Sequence, residues 1–335
     1  MKLKFTALAS LALLLVLSSC NLVKEEPAPT PTLMPSNTSM PSPTLAIVTP
    51  TFTNTVPVVL PSLTPSSTSA SVPLPSPTRT ATVGSPVILP GLPSGPYGVI
   101  LTVPTDVLNI RSGPGVSYPV TASFPATATT IMRTGPSAWV GEDFWVEVSK
   151  PSGGTGWVNA WYLTEYVAPA TFCASTAVTT LVANLDTALT TRNGVSLSAL
   201  TSPAHGMAVY LWRYGKSVTF MPEDSRWVFD STYKHDWGEA PGSGLVTIGS
   251  FQLEVLPKLQ EVFNASYTST CNSLGTAPNY GGEPWPVLYT NVNYYTILKP
   301  GTPGIDLDFR FFLVGVEFVG GQPYVFSLIH FAWEP

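Results

Sequence analysis

The chain has 335 residues, of which 35 are proline and 26 are glycine, while Asp, Glu, Lys and Arg together make up only 10%. Globular domains usually contain about 25% charged residues, so this composition excludes a single compact cytosolic enzyme that fills the whole chain. The formal net charge is −5, and no cluster of lysines or arginines follows Lys4. Nucleic-acid binding requires such clusters to neutralise phosphates, so we expect no nucleic-acid partner.

The first twenty residues have the layout of a secretion signal. Lys2 and Lys4 precede an apolar run at residues 5–17, which is too short to span the roughly 30 Å of a bilayer core. The run leads into the tetrad LSSC, which ends at Cys20 and resembles the lipobox of bacterial lipoproteins. The resemblance implies that residues 1–19 are removed and that acylated Cys20 anchors the chain to the extracytoplasmic face of the cell membrane. The alternative is an ordinary signal peptide with an incidental cysteine.

Residues 20–96 have the composition of a linker. Between residues 27 and 86, 37 of 60 residues are Pro, Ser or Thr, and Arg79 is the only charged one. The segment has no apolar periodicity with which to bury a face, so we expect it to be extended and disordered. Its prolines favour polyproline II, with a reach of up to about 190 Å. We interpret it as a stalk, either an inert spacer or a carrier of O-linked sugars.

The pattern changes at residue 97 to short β-type runs separated by turn residues. The sequence SGPG at residues 112–115 is the strongest of these turn signals. Short strands at close spacing are typical of a small all-β barrel, which we place at residues 97–168. The predicted strands are residues 99–103, 107–111, 120–124, 129–133, 144–148 and 156–158.

Three stretches in this region carry a family resemblance. They are LNIRSGPGVSYPV from Leu108, FWVEV from Phe144 and GWVNAWYL from Gly156, and in this order they resemble the bacterial SH3 domain over residues 97–167. The resemblance implies an SH3-like barrel outside the cytoplasm, of a kind that often accompanies cell-wall enzymes and often binds peptidoglycan. One departure is an insertion at residues 134–142, which we expect between the fourth and fifth strands.

Six residues of this module are candidate ligand contacts because they are aromatic or cationic and lie in strands or near turns. The tryptophans in strands are either half-buried core residues or surfaces on which a ligand stacks. The aromatic residues near turns are placed to stack on sugar rings. The arginine beside the SGPG turn either meets a peptide carboxylate with its planar guanidinium or ties the turn to a backbone carbonyl. The candidates are Arg111, Tyr118, Trp145, Trp157, Trp161 and Tyr162.

Residues 171–335 begin with helical patterns. Apolar residues between Val178 and Leu189 recur at the spacing of one helix face, and the residues from Thr191 should end that helix. A second helical pattern starts after Ser250, a suitable N-cap. Pro257 should kink this helix or restart it, because proline removes an interior hydrogen bond.

Strand signals dominate the rest of this part. Helices placed before a long antiparallel sheet predict an α+β domain, for which a cone of the NTF2-like type is our leading architecture. The closing hairpin should turn at Gly320-Gly321. This part also resembles an unnamed domain that follows bacterial SH3 modules in other lipoproteins, on the motif HDWGEAPGSG from His235 and the closing strands, but that resemblance implies no activity. The predicted strands are residues 207–214, 217–220, 287–298, 308–319 and 323–333.

Two cysteines, Cys173 and Cys271, follow the lipid-bearing residue. In an oxidising compartment they have one possible intramolecular pairing, and a closed loop of about 100 residues could contribute about 4.7 kcal/mol. The alternative is two buried free thiols. We expect no zinc site, because neither cysteine has a second ligand at metal spacing.

Catalytic patterns are sparse. The sequence contains no GxSxG elbow, and we expect no cofactor. His235 beside Asp236, and Asp306 with Asp308, are weak candidates for a base and for a hard-cation site, respectively, since solvated loop charges explain both. His330 should share a strand face with Tyr324, Phe326 and Leu328, as a core histidine or as a group in a cone pocket.

Three functions remain open at this point. The first is a lipid-anchored accessory protein whose SH3-like module contacts cell-wall glycopeptide. The second is an enzyme or small-molecule binder that uses a pocket of the C-terminal domain, including His330 and His235. The third is a module that binds an extracellular peptide or protein.

Overall fold

The structure is a computed structural model that describes residues 87–88, 95–278, 284–305 and 307–333. The predictions on the signal peptide, on the lipidation of Cys20 and on most of the stalk lie outside the described residues, as does Asp306. The described chain is mostly β-sheet with few helices. It consists of an all-β region followed by a mixed α and β region, which confirms the coarse fold prediction.

The N-terminal β part comprises residues 87–88 and 95–165. Its strands are β1 (Val87–Ile88), β2 (Tyr97–Val99), β3 (Val107–Arg111), β4 (Val120–Pro125), β5 (Arg133–Val140), β6 (Asp143–Ser149), β7 (Thr155–Asn159) and β8 (Leu163–Glu165). Six of them form an antiparallel sheet in the order β1-β5-β6-β7-β3-β4. In β3, Leu108 and Ile110 are buried while Asn109 is exposed, because successive side chains of a strand point to opposite faces. A 3₁₀ turn, Ala160–Tyr162, precedes β8.

The predicted insertion at residues 134–142 is wrong, since most of it belongs to strand β5. This strand pairs with β6 from Arg133 opposite Val148 to Val140 opposite Asp143. The tight turn between them has Gly141 at φ +65°, a conformation that glycine adopts without steric cost. The first predicted strand also shifts, because Leu101 has a φ of +57° and β2 ends before it.

The C-terminal part comprises residues 169–333 and adds helices to a curled sheet. The helices are α1 (Pro169–Cys173), α2 (Thr176–Thr190), α3 (Gly194–Leu200), α4 (Pro222–Ser225) and α5 (Leu256–Phe263). The strands are β9 (Met207–Tyr210), β10 (Ser217–Phe220), β11 (His235–Glu239), β12 (Val246–Gly249), β13 (Thr268–Cys271), β14 (Asn293–Lys299), β15 (Arg310–Val319) and β16 (Gln322–Ala332). The sheet runs in the order β10-β9-β16-β15-β14-β13, with β9 parallel to β16 and the other pairs antiparallel.

Both predicted helices are present. Helix α2 buries Val178, Leu185 and Leu189 on one face, as the spacing indicated. After Ser250, whose hydroxyl accepts a hydrogen bond from the amide of Leu253, the chain makes a π-helical turn, Phe251–Val255. Helix α5 then begins, with Pro257 in its first turn, where the missing amide costs no hydrogen bond. The proline therefore restarts the helix.

The hairpin of β15 and β16 forms the centre of the C-terminal sheet and turns at Gly320-Gly321 as predicted. One face packs against α2 and α5, and the other holds a second apolar cluster that includes Phe311 and Leu313. A β-bulge opposite Gly315 shifts the register. Because a bulge reverses the alternation of side chains, Phe326 joins the second cluster while His330 and Leu328 lie on the helix-covered face. The prediction that His330 and Phe326 share a face is wrong for this reason.

The cysteine prediction is confirmed by a disulfide between Cys173 and Cys271, whose Cα atoms lie 5.7 Å apart. It joins the end of α1 to the last residue of β13. The bridge therefore connects the first helix of the C-terminal part to the edge strand of its sheet.

The two parts share one sheet, although the predicted boundary at residues 168 and 171 coincides with the passage from β8 to α1. Strand β8 pairs with β2 on one side, and its Glu165 pairs with Phe318 of β15 on the other. The side-chain amide of Asn291 donates to the carbonyl of Val99, at 2.8 Å, and the amide of Leu101 donates to the carbonyl of Leu288. The N-terminal β part is thus fixed to the C-terminal sheet through backbone and side-chain hydrogen bonds.

Candidate functional site

A cleft of about 500 Å³ lies between the N-terminal β part and the C-terminal part. We call it the interdomain cleft. Its wall on the β part includes Tyr97, Arg133, Trp139, Phe144, Trp161 and Glu165. Its wall on the C-terminal part includes Pro203, His205, Met221, Glu317 and Phe318. Cavities of this size with apolar walls and a few converging polar groups are the usual form of ligand sites.

Two exposed tryptophans border the interdomain cleft. Trp139 is 57% exposed and lies opposite Phe144 in the β5–β6 pair, with the ring centroids 5.0 Å apart. Trp161 is 45% exposed, and its amide donates to the side-chain oxygen of Asn159, which caps the 3₁₀ turn. The indoles of Trp139 and Trp161 are therefore both attached to backbone that is fixed, by strand pairing in the first case and by capping in the second.

The floor of the cleft holds a buried pair of His205 and Glu317. Nδ1 of His205 lies 2.7 Å from Oε2 of Glu317, and Nε2 of His205 lies 3.0 Å from the carbonyl oxygen of Trp161. The hydroxyl of Ser202 donates to the other carboxylate oxygen of Glu317. Ser202 in turn accepts a hydrogen bond from the amide of Ala204, so the loop before β9 is closed around the carboxylate.

The surroundings of His205 favour its charged form. Burial opposes the charge and by itself lowers the pKa, but the Glu317 carboxylate and the Trp161 carbonyl outweigh that effect and raise the pKa of His205. A carbonyl oxygen only accepts, so Nε2 carries a proton, and the carboxylate receives the proton on Nδ1. The pair is therefore an imidazolium–carboxylate ion pair that joins the two parts of the chain.

This arrangement suits binding better than proton transfer. Both ring nitrogens of His205 donate to protein acceptors, so neither has a lone pair for a substrate proton. A general base needs such an accessible nitrogen within hydrogen-bond reach of its substrate. The chemical role of the cluster is to hold Trp161, on the β part, against the loop that carries His205.

The side chain of Arg111 is hydrogen-bonded to backbone carbonyls near the SGPG turn. Nη1 of Arg111 donates to the carbonyl oxygens of Val116 and Tyr118, at 3.0 and 2.8 Å. Arg111 therefore ties the chain that follows the SGPG turn. The ring of Tyr118 packs over Gly113, where an added Cβ would meet it at 2.5 Å, so this tyrosine also supports the turn.

The predicted tryptophans in strands are largely core. Trp145 and Trp157 are both buried and form a small cluster with Ala138. Trp145 and the half-exposed Tyr162 also line a second cavity, of about 540 Å³, on the β part. Of the six candidates, Trp161 is the one that lines the interdomain cleft; Arg111, Trp145 and Tyr162 line the second cavity instead.

Neither candidate histidine of the C-terminal part lines the interdomain cleft. His330 is 2% exposed, packs on Phe312, and bonds through Nδ1 to the carbonyl of Leu211. Burial lowers its pKa to about 3, so it is a neutral core residue. His235 lies in an aromatic group with Phe220, Tyr233 and Trp237, where partial burial lowers its pKa.

The motif HDWGEAPGSG supplies another surface feature. Its residues 238–242 line a shallow cavity of about 550 Å³ together with Trp212 and Lys216. The ammonium of Lys216 is already paired with the carboxylate of Asp236, and both side chains are solvent-exposed. This cavity is slightly larger than the interdomain cleft, but none of the described residues that line it is a buried charged group, so we favour the cleft as the functional site.

The sequence alone did not indicate Trp139, Arg133 or the pairing of His205 with Glu317 as parts of a site. Trp139 lay within residues assigned to an insertion. His205 and Glu317 are 112 residues apart, and no local pattern links them. The alternation of Trp139 with its neighbours, A-W-V before a Gly turn, is the signal that would have indicated a strand.

Comparisons with known proteins give no relatives. A scan against protein-family models, a search of curated proteins and a search of solved structures each return no match. Within the ranges that the structure describes, no helix is both long and apolar enough to cross a membrane, and no group of three or more His, Cys, Asp or Glu side chains has the geometry to hold a metal ion.

Proposed function

We propose that this chain is a lipid-anchored, extracytoplasmic binding protein that contacts cell-wall glycopeptide. The motifs from Leu108, Phe144 and Gly156 support an SH3-like module, and the short antiparallel strands at residues 97–165 are compatible with one. The tetrad LSSC supports the lipid anchor. The Pro, Ser and Thr content of residues 27–86 supports a stalk between the anchor and the folded parts.

The observation that carries the binding role is the pair of exposed indoles at the interdomain cleft. Trp139 and Trp161 are the two tryptophans that line it, and the carboxylates of Glu142 and Asp143 lie beside them. Flat aromatic faces next to hydrogen-bonding groups suit sugar rings, which have an apolar face and a polar edge. Aromatic residues exposed at a concave site also contribute strongly to binding free energy.

A pocket inside the C-terminal sheet receives less support. On the face covered by α2 and α5, the space is filled by side chains such as Phe312, Val314 and Leu328. The opposite face is filled by Phe311, Leu313 and the rings packed on them. Because both faces are packed, we place ligand binding in the interdomain cleft rather than in a cone-type cavity.

Sedimentation with purified peptidoglycan tests the proposal. The full chain, kept soluble in a mild detergent, is expected to sediment with the insoluble wall fraction at low salt, where polar contacts are least screened. Competition by a glycan strand alone and by a stem peptide alone then separates sugar recognition from peptide recognition. A chain that stays in the supernatant at low salt contradicts the proposed function.

A further inference from the structure

Arg133 is a buried cation that no carboxylate of the described chain neutralises. It lies at the start of β5, is 9% exposed, and lines the interdomain cleft. Its Nε atom is buried without a hydrogen-bond partner. Within residues 95–278, 284–305 and 307–333, no carboxylate forms an ion pair with it. Its neighbour is Tyr97, whose ring centroid lies 5.9 Å from the guanidinium carbon and whose side chain is hydrogen-bonded to Arg133. Tyrosine is a neutral partner, so the guanidinium charge is not balanced by it.

The carboxylates that line the same cleft are mostly engaged elsewhere. Glu165 accepts hydrogen bonds from the amides of Gly320 and Gly321, at 2.6 and 2.8 Å. Glu317 is bound to His205, and Asp143 accepts from the side-chain amide of Asn159. These three carboxylates of the cavity wall therefore have hydrogen-bond partners other than Arg133.

A buried guanidinium without an anion is energetically costly. Proteins keep such a group where a ligand supplies the missing charge, because the planar fork of arginine matches a carboxylate with two parallel hydrogen bonds. Arg133 meets two conditions for such a site. It is buried, which strengthens its attraction to an anion, and it lines an open cavity. We infer that Arg133 binds a carboxylate of the ligand in the interdomain cleft.

The charges at the rim identify the class of ligand. Glu142 and Asp143 are exposed on the same cleft, and they repel a ligand that carries only negative charge. They attract one that carries an ammonium group as well. The ligand is therefore a short peptide with a free terminal carboxylate on Arg133 and an amine towards Glu142 and Asp143. This inference rests on the proposed function and specifies which component of the glycopeptide the cleft recognises.

The test compares a free acid with its amide. The probes are the peptide lysyl-D-alanyl-D-alanine, the same peptide with a C-terminal amide, and N-acetylmuramic acid, which is an anion without an amine. Binding to the full chain is measured by calorimetry. We expect the free-acid peptide to bind at least tenfold more tightly than the amide and than N-acetylmuramic acid.

Variants of Arg133 locate the effect. Arg133→Gln is expected to bind acid and amide equally, and Arg133→Lys to retain part of the preference, since it keeps the charge but not the fork. Arg192→Gln, a change at an exposed arginine outside the cleft, is expected to keep the full preference. Because Arg133 has no ion-pair partner among the described residues, Arg133→Gln should unfold at the same or a higher temperature, whereas a purely structural arginine would lower it.

The outcomes separate this inference from the proposed function. Equal affinity of the wild-type chain for acid and amide, including no binding of either, overturns the inference, as does an unchanged preference in Arg133→Gln. Equal or tighter binding of N-acetylmuramic acid overturns the assignment to a peptide. A wild-type chain that sediments with intact wall but binds acid and amide equally would support the proposed function and contradict the role of Arg133. A chain that prefers the acid but does not sediment would support the Arg133 site and contradict wall binding.

Discussion

The imidazole of His205 and the carboxylate of Glu317 lie 2.7 Å apart, although 112 residues separate them in the chain. Their side chains are 4% and 1% exposed, so solvent screens their attraction only weakly. His205 also bonds to the carbonyl of Trp161 on the β part. A single buried ion pair therefore contributes to the stability of the fold and to the shape of the interdomain cleft at the same time.

Glu317→Gln should lower the free energy of unfolding by about 3 kcal/mol, because it leaves a buried imidazole without its counter-ion. Urea unfolding followed by tryptophan fluorescence measures the change. Lys216→Gln is the matched control, since Lys216 pairs with Asp236 on the exposed surface and surface pairs contribute little. An equal decrease in the free energy of unfolding in the two variants would show that the buried pair stabilises the fold no more than the surface pair does.

The same pair predicts a pH dependence on the alkaline side. The pKa of His205 is raised in the folded chain, so its contribution to stability is fully present below its ordinary value of 6.5 and is lost as pH rises through the raised value. The difference in Tm between the wild type and His205→Gln should therefore be largest near pH 6 and shrink at higher pH. A difference that grows with pH would contradict an ion pair at this site.

His330 predicts the opposite dependence on the acid side. Burial depresses its pKa to about 3, and the positive charges of Lys258 and Arg310 act in the same direction. Its contribution is present above pH 6.5 and is lost as the pH falls towards 3, by roughly 4 to 5 kcal/mol at 1.36 kcal/mol per unit. We expect His330→Leu to shift the midpoint of acid unfolding to lower pH, measured by far-UV circular dichroism. An unchanged midpoint would mean that another group controls acid unfolding.

Ligand binding should depend on the two exposed indoles of the cleft. Trp139→Ala and Trp161→Ala are each expected to weaken wall binding at least tenfold, about 1.4 kcal/mol. The carbonyl that holds His205 is retained in Trp161→Ala, because it belongs to the backbone. Trp227→Ala is the control, since Trp227 is also more than half exposed but does not line the cleft. A similar loss in all three variants would indicate nonspecific adhesion through aromatic rings.

Anchoring depends on Cys20. Cys20→Ala is expected to leave an uncut precursor without lipid mass, since acylation of this thiol precedes cleavage in the family that the tetrad LSSC resembles. Mass spectrometry of the mature N-terminus measures both properties. Normal processing and release of the variant would support an ordinary signal peptide instead.

Local patterns predicted the elements that depend on neighbours in sequence. Helix α2 followed from the spacing between Val178 and Leu189, and the capped start of the second helix followed from Ser250. The hairpin at Gly320-Gly321 followed from its turn residues, and the disulfide followed from the single pairing open to two cysteines. In each case the determining groups are a few residues apart, or have one possible partner.

The cleft could not be predicted in the same way. Its walls come from two regions that are remote in sequence, and their contact is decided by the pairing of β8 with β15. The predicted alternation of side chains along β16 was wrong because the bulge opposite Gly315 inserts one residue. Arg133 is recognisable only in three dimensions, since the absence of an ion-pair partner for it among the described residues depends on the groups around it and not on its neighbours in the chain.

The sharing of β8 between the two parts has a consequence for biosynthesis. Thr164 on β8 and Glu317 on β15 are 153 residues apart, and ribosomes add about 5–20 residues per second. About 8–30 s therefore pass between the synthesis of β8 and the synthesis of β15. Until then, the edge of β8 that pairs with β15 has no partner strand. During this interval an unpaired edge is open to other chains. We expect nascent chains arrested before residue 310 to be bound by holding chaperones and complete chains to be released.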